Sequence, residues 1–277
     1  MGGYSGSADV RAGLMFARLL ALANIGVVLF LLGPLIVIVG ASFTTTPYVV
    51  FPPRGFTLDW YRALLERADF AEALHSSIVL GLLATAGAAL LGIPAAIGLH
   101  QAGVRGRSVL RGFVMAPLTL PTIVTGVALL QFYYTIDLDA PMAGLLIGHM
   151  LIIVPYCVRT VGAALAALDP AMVEAAESLG AGRLRIHIRV TLPAVAPSIL
   201  AALAFMFVTS FDQVTLSVFL AGPEVMPLPV RLYTYIEFAI DPMVAAASTV
   251  LIVLAVLIVA LAQRIAGLDR RLFGGAQ

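Results

Sequence analysis

The chain has 277 residues, of which 61% are hydrophobic and 11% are charged. Soluble domains average about 45–50% apolar and about 25% charged residues, so this composition excludes an ordinary water-soluble protein. The net charge is +1 at pH 7, which indicates no nucleic-acid partner, and the single cysteine, Cys157, excludes an internal disulfide and a cysteine-based metal cluster.

Six apolar runs are long enough to form helices that cross a membrane, which requires about 20 residues. The runs are 19–42, 76–99, 112–134, 142–163, 195–220 and 243–265. Prolines such as Pro117 and Pro121 are tolerated in membrane helices, and we expect them to give kinks rather than breaks. The first run exceeds the apolar core of a signal peptide, which spans about 7–15 residues, so we expect it to be retained. The sequence predicts an all-α membrane protein with six transmembrane helices.

All 16 basic residues are arginine, and they sort to one side of these spans when the N-terminus is placed in the cytoplasm. Twelve fall on the cytoplasmic side, namely Arg11, Arg18, Arg105, Arg107, Arg111, Arg159, Arg183, Arg185, Arg189, Arg264, Arg270 and Arg271. The outer side keeps Arg54, Arg62, Arg67 and Arg231. Because cytoplasmic loops are enriched in basic residues, we expect both termini to be cytoplasmic.

The same orientation leaves the outer side acidic. Its nine carboxylates are Asp59, Glu66, Asp69, Glu72, Asp137, Asp139, Glu224, Glu237 and Asp241. Against four arginines they give a net charge of −5, which favours a cationic solute or a basic partner surface. The arginine bias alone also leaves carboxylates outside, since acidic residues contribute little to topology. At the level of sequence both interpretations stay open.

The longest predicted cytoplasmic loop, 164–194, carries signals for two helices joined by a bend. Asp169 is a good N-cap and Pro170 a good first helical residue. Gly180 fits the position just past the end of this helix, where a positive φ is common. A second helix is expected to begin near Arg183 and to run into the fifth span.

The side chains of the first helix suit contact with another surface. Glu174 and Glu177 are three residues apart and therefore share a face. Ala175 and Ala176 are small and allow another surface to approach closely. These features predict a segment that docks on a cytoplasmic partner.

The residues of this loop follow a long, spaced pattern. Glu174-Ala175-Ala176, Gly180, Val190, Leu192 and Pro193 match E-A-A-x(3)-G-x(9)-I-x-L-P, with Val190 in place of isoleucine. The loop therefore resembles the EAA loop of permease subunits of bacterial ABC importers. Further stretches are similar to the second permease of spermidine/putrescine importers: 56–65, 148–170, 210–223, 228–238 and 241–254. Gln213 departs from that group, which usually has glutamate after Phe-Asp.

The resemblance implies the type I ABC importer permease fold (MetI-like) in a bacterial inner membrane. It makes the helix near 170–180 a coupling helix on a cytoplasmic ABC ATPase dimer. Glu174 would make a charged contact, Ala175 and Ala176 would pack closely, and Gly180 would form the turn. Glu177, Leu192 and Pro193 belong to the same coupling segment.

The resemblance also implies partner subunits, since the chain lacks the G-x-x-x-x-G-K-[ST] phosphate loop. We expect no catalytic residue, metal or cofactor in this chain, with ATP and Mg bound by the partner ATPase. The other expected partners are a second permease forming a heterodimer, an extracytoplasmic substrate-binding protein and membrane lipid. We expect an N-terminal tail, first span and outer loop in 1–72, a five-helix core in 73–266 and a cytoplasmic tail in 267–277.

Five residues are candidates for the solute path. Asp212 is the one carboxylate predicted inside a span, where ionisable groups are costly and suggest function. Phe211 and Gln213 flank it, and it is either a contact for a passing ammonium group or a structural residue. Tyr235 and Glu237 precede the sixth span, where they either meet a cation or anchor the helix at the interface. His149 is expected to be a packed, hydrogen-bonding residue.

Alternatives to a polyamine remain at this stage. Similar permeases move 4-aminobutyrate, opines, aminophosphonates, thiamine or ferric iron, and one permease sequence hardly separates these solutes. A secondary transporter is the rival from another class. It would work without an ATPase and would not need an EAA loop.

Overall fold

The computed structural model describes the backbone of residues 6–101 and 106–273 and the side chains of 16–101 and 106–264. The helices in this part are α1 (Gly6–Ala41), α2 (Asp59–Glu66), α3 (Ala68–His100), α4 (Arg107–Met115), α5 (Thr122–Thr135), α6 (Pro141–Ala166), α7 (Pro170–Ser178), α8 (Arg183–Ile186), α9 (Leu192–Phe211), α10 (Val214–Leu220), α11 (Leu228–Phe238) and α12 (Pro242–Phe273). Arg105 and the tail end 274–277, both part of the predictions above, lie outside the described residues.

Five helical segments of the described residues are long and apolar enough to cross a membrane. They are the apolar part of α1, then α3, α6, the continuous segment 183–211 and the apolar part of α12. A sixth span exists if the bent pair formed by 107–118 and α5 is counted as one. The all-α membrane class predicted from the sequence is confirmed.

The third predicted span, 112–134, is not one continuous helix. The chain bends by 96° between 107–118 and α5. Pro121 has no N–H to donate to the preceding turn, and it disfavours helical backbone in the residue before it. The expectation that Pro121 only kinks the helix was wrong, whereas Pro117 lies within the segment 107–118. With 14 residues, α5 is about 21 Å long, short of the roughly 30 Å hydrocarbon core.

One compact unit contains the described part of 1–66 together with 239–251. In it, the part of α1 between Phe16 and Val37 exposes apolar side chains on all its faces, as a lipid-facing helix does. The loop that follows, predicted to lie on the outer side, folds back on itself. Trp60 Nε1 donates to the Thr44 carbonyl over 2.8 Å, and the Tyr61 hydroxyl lies 2.6 Å from Ser42 Oγ. Thr57 Oγ1 accepts the Asp59 N–H over 3.1 Å at the start of α2.

A second unit contains 67–238 and the described part of 252–277, and its core is formed by α3, α6 and α9. The buried residues include Leu80, Ala84, Ala88, Leu145, Ile153 and Met206. The helices approach closely where glycine faces another side chain. A Cβ added at Gly92 would lie 2.7 Å from Cys157 Cβ. Small residues are what allow membrane helices to pack at such distances.

Candidate coupling site and solute path

The helix that carries the Glu-Ala-Ala residues begins as its sequence predicts. Asp169 Oδ1 accepts the N–H of Ala171 over 2.9 Å, and Pro170 occupies the first helical position. An N-terminal proline sacrifices no intrahelical hydrogen bond, and its φ is already helical. The start of α7 is therefore defined by two adjacent residues.

The end of α7 is a Schellman motif centred on Gly180. The Gly180 N–H donates to the Glu177 carbonyl over 2.9 Å, and the Ala181 N–H donates to the Ala176 carbonyl over 3.0 Å. This pair of bonds requires a left-handed backbone conformation at the first residue past the helix end, which here is Gly180. Gly180 has φ +77°, so its predicted positive φ is confirmed.

The surface of α7 is available to a partner, since none of its residues is buried. Glu174, Ala175 and Glu177 are exposed, and Ala176 is half-buried. Leu179, at the end of the helix, is 88% exposed, and Leu184 on α8 is 73% exposed. Exposed leucines beside carboxylates are typical of an interaction surface rather than of a solvated loop.

The charged groups of this surface have no ion pair within the part of the chain that the structure describes. No basic nitrogen lies within 4 Å of the Glu174 or Glu177 carboxylate, and no carboxylate lies so close to Arg183 or Arg185. Among the described residues only solvent screens these charges, and a partner of opposite charge can pair with them.

A continuous helical segment, 183–211, connects the loop to the core. The α8 helix continues through a π-helical turn, His187–Thr191, into α9, where Leu192 and Pro193 are the first two residues. Pro193 lacks the N–H that a regular turn needs, and a π turn is one way in which a helix accommodates this loss. His187 Nε2 lies 3.1 Å from Gln101 Nε2 at the end of α3. The loop is thus attached to the core at the junction of α3 and α9.

Asp212 is not inside a helical span, in contrast to the sequence prediction. The α9 helix ends at Phe211, and Asp212 is its C-cap, exposed at the break before α10. Its backbone N–H donates to the Val208 carbonyl over 3.0 Å, and the chain then turns away at Gln213. An ionised carboxylate in an apolar helix is costly, whereas a break in the helix lets this group reach solvent.

The buried ring of His149 holds the break in place. Its Nδ1 lies 2.8 Å from Ser210 Oγ on α9, and its Nε2 lies 2.8 Å from Ser217 Oγ on α10. Ser217 Oγ also donates to the Gln213 carbonyl. The packed, hydrogen-bonding role predicted for His149 is confirmed. The two serines were missed as its partners, although they flank the Phe-Asp-Gln sequence, because no local pattern links them to α6.

Tyr235 already contacts a cation of this chain. The Arg67 guanidinium lies 5.1 Å from the centre of its ring, and the Phe70 ring meets it edge-on at 5.6 Å. Arg67 also makes a two-point contact with Asp69, at 2.8 and 3.1 Å. Tyr235 is thereby tied to the start of α3, whereas Glu237 is exposed.

Residues 88–272 match the family described as binding-protein-dependent transport system inner membrane component, and the chain belongs to that family. It is a multi-pass permease subunit of a type I ABC importer, and it depends on a separate binding protein. It is a transport subunit rather than an enzyme.

The relatives of this chain include two permeases of Escherichia coli K12. The chain is 29% identical over 233 residues to the spermidine/putrescine transport system permease protein PotC, covering 84% of this chain and 88% of PotC. It is 27% identical over 230 residues to the putrescine transport system permease protein PotI, covering 80% of this chain and 82% of PotI.

A solved structure shows the same fold. A chain of a bacterial ABC transporter that imports the acidic polysaccharide alginate superposes with a TM-score of 0.72 and 19% identity, covering 96% of this chain and 98% of that chain. That transporter has also been solved with its alginate pentasaccharide-bound periplasmic protein.

Proposed function

We propose that this chain forms half of the membrane pathway of an ATP-driven importer for polyamines such as spermidine and putrescine. The observation that carries the proposal is the similarity to polyamine permeases, which extends over 84% of the chain for the first relative. The family match over residues 88–272 includes α9 to α11, where the candidate path residues lie.

The proposed coupling runs through α7. Its exposed Glu174 and Glu177 would pair with basic groups of an ABC ATPase dimer that binds ATP and Mg. Ala175 and Ala176 would let the ATPase surface approach the helix backbone, and Leu179 would fill an apolar recess. Movement of α7 would pass to the core through the continuous segment 183–211.

The proposed assembly has three further features. A second, different permease completes the pathway, and an extracytoplasmic protein delivers the solute. Both termini lie in the cytoplasm, on the same side as α7. The division into 1–72, 73–266 and 267–277 stays a prediction.

A cationic solute fits the chemistry at the end of the second unit that is remote from α7. The exposed carboxylate of Asp212 has no arginine nitrogen within 4 Å among the described residues. The Nε2 group of Gln213 is buried without a hydrogen-bond partner in the same part of the chain. Asp212 would receive an ammonium group, since an opposite charge at a few ångströms is attractive even when partly solvated.

The test is uptake into proteoliposomes that contain both permeases, the ATPase and the binding protein, with ATP on the ATPase side. Labelled spermidine and putrescine are compared with 4-aminobutyrate, an opine, an aminophosphonate, thiamine and ferric iron. ATP-dependent accumulation of the polyamines supports the proposal. Accumulation of another solute of the panel instead of the polyamines would refute the proposed substrate. Uptake without ATP would refute the proposed coupling to the ATPase.

The variant Asp212→Asn tests whether Asp212 contacts the passing solute or has a structural role. The expected result is a higher KM for spermidine with unchanged thermal stability, because the amide keeps the shape and removes the charge. Asp139→Asn is the matched control, since Asp139 is also an exposed carboxylate of the predicted outer side. Equal effects of the two changes would refute a specific role for Asp212.

A further inference from the structure

A basic pocket lies at the end of the helical bundle that carries α7. It is a cavity of about 460 Å³ between α3, α4 and α6. Its lining includes His100, Arg107, Arg111, Arg159 and Gly162. Ala166, the last residue of α6 before the coupling loop, also lines it. The coupling between α7 and the ATPase that is proposed above does not involve this pocket.

The α4 helix carries arginines that line the pocket and, on another face, exposed apolar side chains. Arg107 and Arg111 are one turn apart, and both line the cavity. Val109 and Phe113, also one turn apart, are 76% and 80% exposed. A helix with basic groups on one face and exposed apolar groups on another is typical of the boundary between lipid headgroups and acyl chains.

The positive charge of the pocket is not compensated by this chain. Across the residues that the structure describes, no carboxylate lies within 4 Å of the guanidinium groups of Arg107, Arg111 or Arg159. Like charges around one cavity repel each other, and an anion between them removes that repulsion. Guanidinium groups match phosphate oxygens in a two-point geometry, which makes phosphate the best-fitting anion.

The rest of the lining is apolar. Leu99, Met115 and Val158 contribute to the cavity wall beside the arginines. A free phosphate ion gains no free energy from contact with such an apolar wall. The glycerol backbone and upper acyl chain of a lipid do gain free energy, because apolar surface is removed from water. Basic pockets between membrane helices on the cytoplasmic side are a known setting for anionic lipid headgroups.

We infer that this pocket binds the phosphate group of an anionic phospholipid in the leaflet on the α7 side. The lipid then bridges α4 to α6, the helix that leads directly into the coupling loop. The inference is independent of which solute the importer moves.

The experiment measures lipid binding to the complete importer, purified in mild detergent, by native mass spectrometry. Phosphatidylglycerol is titrated against phosphatidylcholine, and inorganic phosphate is titrated separately. Arg111→Gln removes one pocket charge, and Arg264→Gln is its control, because Arg264 is another exposed arginine outside the pocket lining.

A second variant fills the pocket and leaves every charge in place. A Cβ added at Gly162 meets no atom within 4 Å, so Gly162→Leu projects a side chain into open pocket space. Gly98→Leu is its control, since a Cβ at Gly98 also meets no atom within 4 Å and Gly98 does not line the pocket. This pair keeps the test decisive if the arginine variant fails to fold.

We expect phosphatidylglycerol to bind in preference to phosphatidylcholine, and Arg111→Gln to weaken it about fivefold, the effect of one basic residue at a membrane surface. Gly162→Leu weakens it too, and neither control does. Unchanged binding in both pocket variants, or equal loss in a control, overturns the inference. Phosphate binding that needs Arg111, with no lipid preference, supports the phosphate site and overturns its assignment to lipid.

Discussion

Gly180→Ala tests whether the shape of the coupling turn matters for function. Gly180 has φ +77°, and a Cβ added there meets no atom within 4 Å, so the change introduces backbone strain without a steric clash. A left-handed conformation costs a residue with a Cβ about 1–2 kcal/mol. The last turn of α7 is exposed and has little stability of its own. The strain therefore reduces the ratio of native to non-native turn by roughly 5- to 30-fold.

The assay is the affinity of the ATPase for the permease complex, together with the ATPase rate stimulated by liganded binding protein. Apparent affinity falls in proportion to the fraction of competent loop. Gly180→Asn is expected to retain more function, since asparagine tolerates the left-handed region. Thermal stability of the membrane core should not change in either variant.

Gly182→Ala is the matched control for this prediction. Gly182 lies two residues further on, has φ −69° and ψ 155°, and offers the same open space to a Cβ. Its replacement should leave ATPase affinity within about twofold of wild type. If Gly180→Ala and Gly182→Ala behave alike, the Schellman turn is not what the ATPase recognises, and the reasoning fails.

Three further changes test the packing and the caps, by thermal unfolding in detergent or by hydrogen exchange. Gly92→Ala places a Cβ 2.7 Å from that of Cys157 and should destabilise the core by about 1–3 kcal/mol. Gly98→Ala is its control and should be neutral or stabilising by up to about 1 kcal/mol. A greater loss of stability in Gly98→Ala than in Gly92→Ala would contradict the packing described. His149→Leu removes the hydrogen-bond partner of the buried Ser210 hydroxyl group and one of the two partners of Ser217, and should cost about 1–3 kcal/mol. Wild-type stability would show that these bonds contribute little. Asp169→Ala removes an N-cap worth about 1 kcal/mol and should speed amide exchange in α7. Asp169→Asn keeps a capping side chain and should exchange at a rate close to that of wild type. Equal exchange rates in the wild type and both variants would refute the capping role.

The limits of α7 were predictable because the signals for them are local. An N-cap, an N-terminal proline and a C-terminal glycine act within a few residues, and Asp169, Pro170 and Gly180 do so here. The five continuous apolar helices were predictable for the same reason, since span length is read directly from the sequence.

The break at Pro121 and the position of Asp212 were not predictable in this way. Prolines are common inside membrane helices, and Pro34 and Pro155 do lie within theirs, so proline alone does not identify a break. The end of α9 at Asp212 depends on His149, which is 61 residues away from its partner Ser210. Contacts at such a separation are set by tertiary packing rather than by a local pattern.

The most direct test of the central claim is a cross-link between α7 and the ATPase in the assembled importer. Cys157 is buried and is the single cysteine of the chain, so Cys157→Ala gives a background for introduced thiols. A cysteine at the exposed Leu179 should form a cross-link to the ATPase whose yield changes on ATP binding. A cysteine at the exposed Tyr48, in the loop predicted to lie on the outer side, should form none. The absence of a cross-link from Leu179 in an importer that still transports would contradict coupling through α7.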